Sequence, residues 1–118
     1  YESIIHPSCV RLAKHAPGCV FHTHSTTNYI MDKLVQNEYI DIVQVTRDAG
    51  TVPIEDMIKA MKVIQAAGKP VLYKGRLTRD EAELLSREVD KRGLCLGIVT
   101  ETNESADEIM AMLKDINW

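Results

Sequence analysis

At 118 residues, 45% hydrophobic and 26% charged, the chain can bury one core but not two independent ones, so a single domain over 1–118 is expected. A net charge of −3, with Lys and Arg spread along the whole length, offers no phosphate-tracking surface and argues against nucleic acid as a partner. Cys9, Cys19 and Cys95 are widely spaced with no C-x-x-C pair, which suggests neither a disulfide framework nor a cysteine zinc knuckle and fits a reducing, cytoplasmic setting.

No apolar run approaches the roughly 18 residues of a membrane span, and no charged-then-apolar leader is present, so a soluble chain without a membrane partner is expected. The chain begins at Tyr1 within a helical pattern, and a portion of a longer protein is the expectation. That first pattern, Glu2 to His15, is expected to be a helical stub interrupted by Pro7.

From Cys19 onward one motif repeats: a short apolar run, a polar loop, then an amphipathic helix. The first run is "CVFHTH", followed by a helix from about Thr26 to Gln36 in which Ile30 and Leu34 share a face and Ser25 or Thr26 supplies the N-cap. The second is "YIDIVQV", Tyr39 to Val45, rich in β-branched residues. After "TRDAGTVP" comes a helix over Ile54–Ala67, opened by Pro53 and closed by Gly68, with Met57, Ile58, Met61 and Ile64 on one buried stripe. The Met57 and Met61 pair reads as core rather than as a soft-metal site.

"PVLYK", Pro70 to Lys74, predicts a third strand, and Thr78 with Glu81 predicts a capping box at the start of the next helix. Leu84, Leu85 and Val89 give that helix its core face and Gly93 ends it. A fourth strand over Leu94–Thr100, with Cys95 as a small core residue, leads to a last helix carrying Ile109, Met112, Leu113 and Ile116; Trp118 either caps that helix against the body or hangs free.

Four βα units imply right-handed crossovers and a parallel sheet, hence an α/β fold. Two architectures fit: an open doubly wound sheet, or about half of a (βα)8 TIM barrel, which needs about 250 residues when whole. Neither G-x-G-x-x-G nor G-x-x-x-x-G-K-[ST] follows any strand, so a nucleotide-binding open sheet lacks support.

Residues i and i+2 of a strand share a face, so His22 and His24 project together at the carboxyl end of the first strand, where a barrel keeps its chemistry. Two readings are open: a shared metal ion, or two hydrogen-bonded imidazoles on the rim of a core. A catalytic zinc takes three protein ligands and leaves a fourth position open. Asp48 and Glu101, at other strand ends, are the candidates for the third ligand. Arg47 and Asp48 are also the candidates for binding an anionic substrate or cofactor, against a loop ion pair as the alternative. Lys74 and Arg76, after the third strand, face a carboxylate or solvent.

The phrases "PSCVRLAKHAPGCVFHTHS", "IDIVQV", "MKVIQAAGKPVLYKG" and "KRGLCLGIVTETNESADEIMAML" together resemble the C-terminal half of the uroporphyrinogen decarboxylase-like family. This family comprises the decarboxylase of haem biosynthesis and the cobalamin-dependent methyltransferases acting between a corrinoid protein and a thiol. The resemblance covers nearly the whole chain and implies a (βα)8 barrel of which this is the second half. In the methyltransferase branch an H-x-C motif and a later cysteine bind zinc, which activates the acceptor thiol. His22 falls on the histidine of that motif and His24 on its cysteine, while Thr100 and Glu101 stand where the second cysteine is expected.

The resemblance therefore implies a zinc-dependent corrinoid methyltransferase with His22, His24 and Glu101 as catalytic and metal residues, a small-molecule substrate and a corrinoid presented by a partner protein. The alternatives are a decarboxylase acting on a tetrapyrrole, whose key charged groups lie in the N-terminal half; an H-x-H metal-dependent hydrolase; and a non-catalytic half-barrel that dimerises. Exposed sheet edges make a homo-oligomer the expectation for this fragment.

Overall fold

The computed structural model describes residues 1–48 and 52–118. A first helix, α1 (Ile5–Lys14), precedes β1 (Val20–His24); a 3-10 helix (Ser25–Ile30) runs into the single turn α2 (Met31–Leu34). There follow β2 (Ile42–Thr46), α3 (Ile54–Ala66), β3 (Val71–Gly75), α4 (Arg79–Glu88), β4 (Leu94–Ile98) and α5 (Asn103–Asp115). The four strands form one sheet in the order β1-β2-β3-β4, and all three neighbouring pairs are parallel. This strictly sequential order lacks the reversal of a doubly wound sheet and is compatible with half of a (βα)8 barrel. No helix among the described residues is long and apolar enough to cross a membrane.

Strand alternation divides the sheet into two unlike faces. Val43 and Val45 of β2 and Val71 and Tyr73 of β3 turn toward the helices and are buried, joined by Met57, Met61 and Ile64 of α3 and Leu85 of α4. The intervening residues point the other way, to a face that carries no helix. Register sets them in two rows: His22, Gln44, Leu72 and Cys95, then His24, Thr46, Lys74 and Gly97 nearer the carboxyl ends. Cys95 is consequently exposed rather than a core residue, because Leu94, Leu96 and Ile98 take the helix side of β4.

Several elements follow the local chemistry of the sequence. Thr78 accepts from the Glu81 amide while Glu81 accepts from the Thr78 amide, completing the predicted capping box. Pro53 caps α3, and Gly68 takes φ of 74° just beyond its end, a conformation that suits glycine. Met57 and Met61 are fully buried in the core. Trp118 packs against the core, with Lys91 Nζ 5.5 Å from its ring centroid.

Other expectations are corrected. Pro7 does not interrupt α1: it is the third residue of that helix, within the first turn, where an amide has no intrahelical acceptor to lose. The helix expected over Thr26–Gln36 is a 3-10 helix and one α-turn, since Thr27 Oγ1 donates to the His24 carbonyl at 2.7 Å and competes with regular α-helical bonding. Neither Ser25 nor Thr26 caps it. Its buried residues are Met31 and Leu34, with Ile30 only partly covered. The second strand begins at Ile42 instead of Tyr39 because buried Asn37 accepts from the Tyr39 amide and folds that segment into a turn.

Candidate metal site at the carboxyl end of the sheet

The helix-facing side chains of β1 anchor it: Phe21 packs against the core, and Thr23 is buried with its hydroxyl donating to the Gln44 carbonyl at 2.9 Å. With those positions fixed inward, His22 and His24 both project from the helix-free face. Their rings meet edge to face, centroids 4.8 Å apart, and the two Nε2 atoms approach to 3.2 Å. Two imidazoles bound to one tetrahedral zinc at the usual bond length hold their nitrogens about 3.3 Å apart. The pair is joined by a hydrogen bond between its Nε2 atoms, the rim reading, and the same separation is close to that of two ligands to one ion.

Behind the pair stands Asp48. Its Oδ1 lies 2.8 Å from His24 Nδ1, and its Oδ2 accepts from Ser25 Oγ at 2.9 Å and from the Ser25 amide at 3.3 Å. A carboxylate accepting at Nδ1 fixes the tautomer, so neutral His24 presents Nε2 as a lone pair. The hydrogen bond from His24, followed by that from Ser25, holds the Asp48 carboxyl below its ordinary value. This carboxylate, histidine and open-nitrogen series is the outer-shell arrangement that orients metal-ligating histidines.

Of the residues singled out by sequence, the structure brings His22, His24 and Asp48 together. Asp48 serves as the partner of a histidine on the side away from the paired nitrogens. Arg47 is directed elsewhere: Nε donates to the Val52 carbonyl at 2.8 Å, and its guanidinium lies 2.8 Å from Glu81. Burial alone would raise the Glu81 carboxyl, but the bonds from Arg47 and Thr78 outweigh it and leave the value lowered. Arg47 thus braces the loop after β2 against the start of α4. Glu101 pairs with Arg76 at 2.6 Å beyond the opposite edge of the sheet, and among the described residues no group of three His, Cys, Asp or Glu is placed to hold a metal ion.

Ser25, expected from the sequence as an N-cap, instead belongs to the site through Asp48. The signal that could have found it is the β1–β2 register, in which His24 faces Thr46 and the chain after each strand brings Ser25 toward Asp48. Thr46, Lys74 and Gly97 complete the row beside His24, and Gln44 Nε2 donates to Thr46 Oγ1 at 3.1 Å. Comparison of the chain with protein families, with curated proteins and with solved structures finds no match.

Proposed function

We propose that the chain is the metal-binding half of a (βα)8 enzyme of the uroporphyrinogen decarboxylase-like type, a zinc-dependent methyltransferase moving a methyl group between a partner-borne corrinoid and a thiol. The observation that carries the metal part is the pair of converging Nε2 atoms 3.2 Å apart with Asp48 behind one of them. Bound there, zinc supplies Lewis acidity that lowers the pKa of a thiol or water at neutral pH. The methyl-transfer part rests on the resemblance of the sequence phrases.

The chain's own residues have defined tasks in this reading. His22 and His24 hold the ion through Nε2. Asp48 holds the His24 ring in the tautomer that leaves Nε2 free, and Ser25 holds Asp48. Imidazole in place of a thiolate donates less charge, so His22 and His24 would leave a bound ion more acidic than two cysteines would. Among the described residues no third ligand stands beside the pair, and Glu101 is held by Arg76. The helix-free face gives open access to the pair from the carboxyl end of the sheet.

Metal analysis of the purified protein and of His22→Ala and His24→Ala variants tests the site. Stoichiometric zinc in the native protein, lost in both variants, is the expected result; native protein without affinity for zinc overturns it. Methyl transfer from a methylated corrinoid to a thiol then tests the chemistry. Zinc without methyl transfer in the full-length enzyme moves the assignment to an H-x-H hydrolase.

A further inference from the structure

Position 47 follows the end of β2, and its backbone keeps the course of the strand: the Arg47 amide donates to the Lys74 carbonyl at 2.8 Å, one more rung between β2 and β3. Alternation therefore sends Arg47 to the helix side and Asp48 to the helix-free side, where it meets His24. Whatever fixes the Arg47 side chain also fixes the direction of its neighbour.

Arg47 is gripped from three directions. Nε donates to the Val52 carbonyl at 2.8 Å, Nη1 to the Arg76 carbonyl at 3.4 Å, and Nη2 lies 2.8 Å from Glu81 Oε1. Its stem passes Gly75, where a Cβ would stand 3.0 Å from that of Arg47. The Arg76 carbonyl is itself held, because it also accepts from the hydroxyl of buried Tyr73 at 2.9 Å. Glu81 is held as well: Oε2 accepts from the Thr78 amide at 3.0 Å, so this carboxylate caps α4 with one oxygen and clamps Arg47 with the other. The two side chains are only 20% and 23% exposed, which limits screening of the pair. A rigid guanidinium fork donating along several directions fixes a backbone more firmly than a lysine ammonium on a flexible stem.

We infer that Arg47 and Glu81 are positioning residues for the histidine pair: their clamp holds the extended backbone at the end of β2 and so presents Asp48 to His24 Nδ1. The contacts run from the cap of α4 through Arg47, across one peptide unit to Asp48, and on to the ring whose Nε2 meets His22. Ser25 holds the other oxygen of Asp48, so the carboxylate is located by β1 on one side and by α4 on the other. The inference rests on the proposed function for an ion at Nε2, and on these contacts alone for the tautomer of the ring.

Two arms separate the clamp from the metal site. In metal-free protein at about pH 8.5, well above the ordinary imidazole pKa, nitrogen-15 shifts of the His24 ring give the share of rings protonated at Nδ1. That form is expected to dominate in the native protein and to lose share in Arg47→Met and, to a smaller extent, in Glu81→Gln, whose amide keeps the cap of α4 and so its fold. Lys62→Met breaks the ion pair at the far end of α4 and is expected to leave the ring unchanged. In the second arm, competition with a chelator is expected to show weaker zinc binding in Arg47→Met, by less than the ten- to 100-fold of a lost direct partner, and no further loss once Asp48 is replaced by Asn. An unchanged ring in folded Arg47→Met and Glu81→Gln, the same change in Lys62→Met, or equal zinc losses with and without Asp48 overturns the inference. A changed ring in protein that takes up no zinc leaves the clamp standing and removes the metal reading; zinc uptake with an unchanged ring does the reverse.

Discussion

A methyl group at position 75 has nowhere to go. A Cβ there would lie 2.8 Å from Tyr73 Oη, 3.0 Å from Arg47 Cβ and 3.2 Å from Tyr73 Cζ. Tyr73 is fully buried, and its hydroxyl donates to the Arg76 carbonyl at 2.9 Å. Arg47 is pinned by Val52 and Glu81, so neither neighbour yields without breaking a bond. Overpacking of this kind costs about 1–3 kcal/mol, while replacing glycine by alanine restricts the unfolded chain and returns about 0.4–1 kcal/mol.

Gly75→Ala should therefore destabilise the fold by up to about 2.6 kcal/mol. Tyr73→Phe removes the nearest of the three atoms at the cost of one hydrogen bond, about 0.5–1.5 kcal/mol. In that background Gly75→Ala should cost less, with a coupling energy of about 1 kcal/mol favouring the double variant over the sum of the singles. Urea unfolding followed by far-UV circular dichroism measures all four corners of the cycle, and unchanged slopes show that the denatured state is not the cause. A stabilising Gly75→Ala, or strict additivity with Tyr73→Phe, would refute the steric argument.

Asp48→Asn should weaken zinc binding ten- to 100-fold, because an amide is a poorer orienting partner for His24 Nδ1; competition with a chromophoric chelator measures it, and unaltered affinity would detach Asp48 from the site. Met61→Ala should cost about 2–5 kcal/mol, as expected for emptying a fully buried core position, read from the urea midpoint. The Glu81 carboxyl is lowered in the folded state, so its contribution to stability is present above the ordinary carboxylate pKa and is lost as the pH falls through the lowered value. Glu81→Gln should accordingly be less stable than the native protein at pH 6, with the difference shrinking toward pH 3; a difference independent of pH would rule out the ion pair as its source.

The alternation of β-branched runs with amphipathic stretches was sufficient for the order of elements, because those patterns report burial directly. The stripe of Met57, Ile58, Met61 and Ile64 and the Thr78 capping box are local, and both are present as expected. What escaped was decided at a distance. Which face of β4 turns outward depends on helices that pack on the other side, so Cys95 could not be placed from its own segment. The turn at Asn37 shortened β2, and the hydroxyls after His24 replaced a regular helix with a 3-10 helix.

The candidate site divides in the same way. The shared face of His22 and His24 follows from a period of two within one strand. The service of Asp48 to His24, and the diversion of Arg47 to Glu81 and of Glu101 to Arg76, depend on the pairing of separate strands and loops. Charged residues at strand ends are interchangeable in a sequence until the register says which of them are neighbours.

The two ends of the sheet carry separate obligations. At the amino end, Lys69 Nζ donates to the Ile40 carbonyl at 2.6 Å, and Gln65 exchanges hydrogen bonds with Asp90, closing the turns that launch β2 and β4. At the carboxyl end lie the imidazoles, Asp48 and Lys74, exposed or half-buried and outside the apolar core. On the proposed function, substitutions among the latter retune reactivity while the scaffold persists, so a lineage built on this sheet would be free to explore new substrates by altering a handful of rim positions without rebuilding its foundations.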